Sequence, residues 1–232
     1  LAGDLPLSVK QWITIARAML TDPKVLILDA NDDVTSKGPL FKRAWKEIYG
    51  DMIEYRPQHK AVAVDGKTNT VKFEVQDDVK AAVLNVIPPQ RAGLVAVNAG
   101  LSNLANNRWA GVNYQTFEST AAKDVFVIGD AIQVAPAMPK SGHMANGHGK
   151  VAAAAVVAQL AGWQPNPQPV LTNTCYSFVD DRNVVHVASV HEYVDNTFKA
   201  VTGAGGLSPA PNELEGTYAM SWARNIWADT LA

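Results

Sequence analysis

Cysteine is almost missing from these 232 residues: Cys175 stands alone. That excludes an internal disulfide framework and an all-cysteine metal site within the sequence. Long apolar runs are also missing. The longest, Val151 to Leu160, falls far short of the roughly 20 residues that span a bilayer, so no membrane span is expected. There is no excess of positive charge: 20 Lys and Arg against 22 Asp and Glu give a net charge of −2, with no basic cluster. Nucleic acid is therefore excluded as a partner class. Neither Gly-x-Gly-x-x-Gly nor Gly-x-x-x-x-Gly-Lys-Ser/Thr occurs, so both common glycine-rich phosphate cradles are absent. The first residue is Leu, with no charged segment and apolar core of a signal peptide behind it, and this reads as a chain that begins in mid-protein. What is present is 47% apolar, enough for a sizeable core in one or two domains.

The periodicities give an α/β layout. Leu7 to Leu20 reads as an amphipathic helix, Val25 to Leu28 as a parallel strand buried on both faces, and Pro39 to Tyr49 as a helix with proline in its first turn. Ala61 to Val64 and Val71 to Val75 alternate around Asp65-Gly66-Lys67-Thr68-Asn69 as a hairpin. Ala81 to Ile87 and Val125 to Ile128 read as buried strands, and a small-residue helix runs to Leu160 before Gly162. Three prolines within Pro165 to Pro169 mark a linker and a domain boundary. Beyond it, Cys175 to Phe178 and Val184 to Val194 read as an antiparallel pair, and Tyr218 to Leu231 as a Trp-rich helix.

Three stretches invite chemistry. Leu7 to Gln11, Ile15 to Leu20 and Pro23 to Asp29 resemble the signature helix and Walker B strand of ABC-type ATPases. Val9 and Lys10 stand where that loop needs glycines, and Ala30 where it needs glutamate, so an ATPase is disfavoured. Asp29 ends its strand where a dinucleotide fold holds a ribose hydroxyl, but no glycine loop precedes it. His143 and His148 are five apart, off the spacing of a helical metal pair; they read as surface or turn residues, and no metal site is expected. The third stretch is Val125 to Ala131, a strand closing on Gly129-Asp130-Ala131. Glycine there removes bulk where a cofactor backbone passes, and aspartate can accept a hydrogen bond from a sugar-like hydroxyl. The same aspartate could simply cap the next helix.

The turn resembles the second FAD motif of glutathione-reductase-like flavoproteins. Ala135 to Gly142 and Lys150 to Ala158 follow it, and Leu28 to Asp32, Ile87 to Gly93, Thr116 to Ser119 and Asn173 to Ser177 match in order. Together they resemble the flavoprotein subunit of flavocytochrome c sulfide dehydrogenase, from about Lys24 to the end. The resemblance implies a partial FAD/NAD(P)-binding fold with a C-terminal α+β interface domain. Residues 1–87 would be a second dinucleotide-like domain, 88–164 the returning half of the FAD domain, and 165–232 the interface domain. It implies FAD in the complete protein, held by Gly129, Asp130, Ala131, Met138, Pro139, Lys140 and Ser141. The glycine loop for the pyrophosphate is not in this chain. It implies catalysis at Cys175 as half of a flavin-side disulfide, sulfide as substrate, a cytochrome c subunit as electron-accepting partner, and a periplasmic location. Two other readings stay open: Cys175 as a small buried hydrophobe, and a non-catalytic chain that kept the fold but lost FAD.

Overall fold

The computed structural model describes residues 24–231, and the chain divides between Pro88 and Pro89 into two units. The helix expected over Leu7 to Leu20, and with it the ATPase-like signature helix, lies outside the described residues. In the first unit, Val25–Leu28 (β1) pairs in parallel with Ile53–Arg56 (β2), Val25 opposite Ile53 and Leu28 opposite Arg56. Gly38–Tyr49 (α1) connects them, which is the βαβ arrangement that parallel pairing requires. Pro39 sits in the first turn of α1, where its missing N–H costs nothing, and Gly50 ends the helix at φ 55°. Trp45 packs between Phe41 and Tyr55, each ring 5.9 Å away. β1 has one partner strand among the described residues and is half-buried, not enclosed on both faces as its apolar run suggests.

The hairpin forms where the alternation places it, as Ala61–Asp65 (β3) and Thr70–Phe73 (β4), burying Val71 and Phe73. Asp65 closes its turn by accepting the Lys67 amide at 2.8 Å. The strand expected over Ala81 to Ile87 does not form. Only Val79–Lys80 (β5) pairs, Lys80 opposite Thr70, and β4 begins at Thr70, so past the Ala81 amide bond to Asn69 there is no backbone left to pair with. Ile87 is exposed.

The second unit begins with a short helix, Leu94–Asn98 (α2), and the small pair Ser102–Leu104 (β6) and Trp109–Ala110 (β7). Val125 to Ile128 is extended but not a buried strand. It bonds on one side only, to Phe117 through Ser119, and Val125 and Ile128 remain exposed while Val127 enters the core. A single 3₁₀ turn over Gly129–Ala131 follows.

Gly142–Ala161 (α3) is the long helix of this unit, capped by Ser141 at its start and by Gly162 at φ 72° at its end. Its buried stripe of Ala152, Ala155 and Ala158 lets neighbouring backbone come close. Val170–Phe178 (β8), Val184–Val194 (β9) and Thr197–Leu207 (β10) form an antiparallel sheet in the order β10-β9-β8. Asp180 builds the β8–β9 turn by accepting the Arg182 and Asn183 amides at 2.8 and 2.6 Å. The third strand was invisible in the sequence pattern. Glu213–Leu231 (α4) closes the chain, starting five residues earlier than its tryptophans suggest.

The core gathers Phe117, Ile132, Met138, Met144, Leu171 and Phe198 from loop, turn, helix and sheet. Pro165 to Pro169 lies inside this unit and is anchored at two points: the Asn166 carbonyl accepts from Gln115 at 3.0 Å, and Pro169 is fully buried.

Candidate functional site

The Gly129–Ala131 turn is held by side chains on every side. Gly129 has φ 69°, and a Cβ there would stand 3.2 Å from the Ala145 methyl, so both conformation and the approach of α3 demand glycine. Its N–H donates to His148 Nδ1 at 3.1 Å, and its carbonyl accepts from Ile132 at 3.4 Å. The Asp130 and Ile132 carbonyls accept from Lys140 Nζ at 2.6 and 2.8 Å. Lys140 also lies 3.7 Å over the Trp109 ring. Burial pulls its pKa below the usual lysine range, and Arg108 adds to this while Asp130 opposes it. The Asp130 side chain is exposed. It does not cap α3; Ser141 does, accepting the Met144 N–H at 3.1 Å.

Ser141 also joins the helix start to the sheet. Its hydroxyl donates to Asn173 Oδ1 at 2.5 Å, Asn173 is buried, and the same amide meets Cys175 Sγ at 3.5 Å. Two residues on from Ser141, His143 Nδ1 accepts the Thr174 N–H at 3.0 Å, which covers the outer edge of β8. The structure thus ties Gly129, Asp130, Ala131, Lys140 and Ser141 to one turn and helix start. Met138 is buried beneath it, and Cys175, half-buried, is on the strand that this helix start grips. The α3 amides of Gly142 and His143 precede the first intrahelical bond, and nothing lies within 4 Å of where a Gly142 Cβ would stand. A shallow cleft of about 190 Å³, lined by Gln115, Lys150, Pro165 and Val170, includes none of these residues.

The histidines correct the sequence reading. His148 is 1% exposed and stacks on Phe117 at 4.4 Å, and burial, assisted by Lys140, pushes its pKa down to about 4. His191 is fully buried and bonds Ser189 at 2.9 Å. His143 is partly buried, and its pKa is lowered by burial and by Lys150, against the Thr174 hydrogen bond. None is a hydrated surface group. Spacing alone could not reveal this, because α3 is apolar or small on several faces and gives histidine no polar side to occupy.

In the first unit, Asp29 is committed to its own loop. Oδ1 accepts the Asn31 amide at 2.9 Å and Oδ2 accepts the Tyr55 hydroxyl at 3.0 Å. Burial works to raise its pKa, but these donors win and hold the carboxyl below its ordinary range, while burial and Asp29 push Tyr55 up to about 12.

The likeness of this chain to known proteins agrees with its architecture. It overlays 94% of its length on the sulfide:quinone oxidoreductase of the hyperthermophilic bacterium Aquifex aeolicus, with a TM-score of 0.66 at 13% identity. It also overlays 78% of its length on a chain of the Tetrahymena thermophila mitochondrial ATP synthase, with a TM-score of 0.56 at 19% identity. It spans about half of these proteins, 53% and 44% of their chains. Such distant matches establish the fold alone. Residues 12–88 match the central domain of the sulfide dehydrogenase (flavocytochrome c) flavoprotein chain. Residues 167–231 match the flavin-binding domain of flavocytochrome c sulphide dehydrogenase. The Gly129-to-Ser141 site lies between the two matched stretches, and Cys175 lies inside the second. With both domains matched in order on one chain, this protein belongs to the flavocytochrome c sulfide dehydrogenase flavoprotein family.

Proposed function

We propose that the complete protein carrying these residues is a periplasmic, FAD-dependent sulfide dehydrogenase that passes electrons to a cytochrome c subunit. The observation that carries this reading is the Ser141–Asn173 hydrogen bond. It couples the start of α3, beside the Gly129–Ala131 turn, to the strand bearing the sole cysteine, and both Asn173 and Cys175 lie in the stretch that matches the family's flavin-binding domain. The residues present suit the flavin end of FAD: an exposed carboxylate on a rigid turn, and open space at the N-terminus of a 20-residue helix. No residue of this sequence forms the glycine loop for the pyrophosphate.

In this reading, Asp130 accepts a hydrogen bond from a ribityl hydroxyl, and Gly129 and Ala131 keep the approach clear of side chains. Met138, Pro139, Lys140 and Ser141 hold the helix start, whose positive dipole end favours the negative edge of a reduced ring. FAD, when bound, supplies the two-electron acceptor. Cys175 serves as one sulfur of a disulfide whose second cysteine is not among these residues. Attack of HS⁻ on that disulfide breaks its S–S bond, forms a new S–S bond to the substrate sulfur, and releases one thiolate carrying the electron pair. Only a thiolate can donate onward, so an electropositive helix end is a suitable neighbour.

The test is the purified full-length protein: flavin absorbance, bleaching of that absorbance by sulfide, and sulfide-dependent reduction of cytochrome c. Flavin absorbance that sulfide does not bleach would sink the reading, as would a protein that co-purifies with a haem subunit but carries no flavin.

A further inference from the structure

The best-buried polar group near the site is one the mechanism above does not use. His148 projects from the second turn of α3 and is 1% exposed; its Nδ1 accepts the Gly129 N–H at 3.1 Å, and its Nε2 has no partner among the described residues. An imidazole nitrogen that accepts cannot carry a proton, so the single proton of the neutral ring sits on Nε2. The other backbone bonds of the turn go to Ile132 and Lys140, and neither reaches the Gly129 amide. His148 is therefore the sole acceptor holding the first residue of the turn, at a φ of 69° that strains any substitute for glycine.

We propose that His148 is a positioning residue for the cofactor: as a neutral acceptor it fixes the Gly129 amide and thereby the direction in which Asp130 presents its carboxylate. This rests on the functional reading above, since it assigns the turn to FAD. A buried imidazole with an orphan donor is a poor choice for packing alone, because a phenyl ring of the same shape would stack on Phe117 without stranding a polar atom. Keeping the imidazole makes sense if the acceptor is what matters.

Two variants of the full-length protein separate acceptor from shape. His148→Phe keeps the ring and removes the acceptor; His148→Asn loses the ring but places an amide oxygen close to the position of Nδ1. Hydrogen exchange at Gly129, thermal midpoint and FAD retention after dialysis are read in each. The proposal expects His148→Phe to melt modestly below the wild type, to exchange Gly129 faster and to lose FAD affinity about tenfold, a single buried hydrogen bond's worth. His148→Asn should regain Gly129 protection and most of the affinity, in spite of a lower midpoint. The opposite order, with His148→Phe benign in all three and His148→Asn damaged throughout, assigns His148 to packing and overturns the proposal. So does fast Gly129 exchange with unaltered FAD retention. A wild-type protein that binds no flavin overturns the functional reading instead, and the Gly129 exchange rates then decide the turn-holding role alone.

Discussion

Asp130 and His148 act on the same turn by different groups, and their substitution should fail in different ways. The Asp130 carboxylate is exposed and bears no part of the clasp, which uses only its carbonyl. Asp130→Ala should leave folding nearly untouched while weakening FAD retention by about 1–3 kcal/mol, the range for a lost buried acceptor; flavin content after gel filtration checks it, and full retention would remove Asp130 from the site. His148 instead carries a pH signature. Its pKa is about 4 in the folded chain against about 6.5 unfolded. Between those values the unfolded state holds more protons, so stability is complete above about pH 6.5 and falls as pH drops toward 4. From about pH 7.5 to about pH 4.5 the loss from this group should be roughly 2–3 kcal/mol. His143 and His191 are shifted in the same direction, so the measurement is a difference: urea unfolding of wild type minus His148→Phe at both pH values. An equal pH slope in the two proteins would refute the buried-neutral assignment. Of this site, the Gly-Asp turn and the helix start were legible in the order of residues. The His148 contact was not, because it joins positions nineteen apart through a fold that the spacing of two histidines does not encode.

Helices and hairpins were the legible elements, each announced by local punctuation: Pro39 for α1, Asp65 to Asn69 for the hairpin, Gly162 for the end of α3. Elements that depend on a distant partner were not. Ala81 to Ile87 is as apolar as a strand but runs past the end of β4, and Val125 to Ile128 pairs on one edge alone. β10 contains Gly203, Gly205 and Gly206, residues that weaken a strand pattern. Yet a Cβ at Gly205 would stand 2.3 Å from the Ala188 carbonyl, so glycine is required there, where the strand bulges against β9. The fastening of α4 was equally hidden. Glu215, in its first turn, is 7% exposed and accepts from Ser208 Oγ at 2.5 Å and meets His186 Nδ1 at 2.9 Å. Burial alone would raise its pKa, but the Ser208 and His186 contacts prevail and hold the carboxyl below its usual range. Ser208→Ala removes one donor from a buried carboxylate, which should cost about 1–3 kcal/mol. Hydrogen exchange should rise selectively across residues 213–231, and unchanged protection there would mean that α4 is held by packing of Trp222 against Tyr176 instead.

At the scale of the whole chain, two proline-rich stretches compete as the place where it comes apart. Pro88-Pro89 sits in a run from residue 85 to residue 91 that is exposed throughout and has no regular structure. Pro165 to Pro169 has the stronger composition for a linker, but its Pro169 carbonyl accepts from Tyr193 at 3.2 Å, its Asn166 carbonyl from Gln115, and Pro169 is buried. Proline content is a statement about the backbone's own freedom, whereas proteolytic access depends on whether the backbone is bound to anything else. Around Pro88 the Gln90 carbonyl is itself tied to the Arg108 guanidinium, but both prolines there are exposed where Pro169 is buried, so the stretch around Pro88 is the more accessible to a protease. Limited digestion with a protease of broad specificity should cut first within residues 81–91 and leave a resistant fragment that runs through Pro165 to Pro169 into α4. Its N-terminus, read by mass spectrometry, decides the matter. An early fragment beginning near Gln168 would show that the C-terminal sheet is independent of α3, and would break the Ser141–Asn173 link on which the site depends. A fragment beginning near Ala92 keeps helix start, turn and Cys175 strand in one folded body, as the proposed chemistry requires.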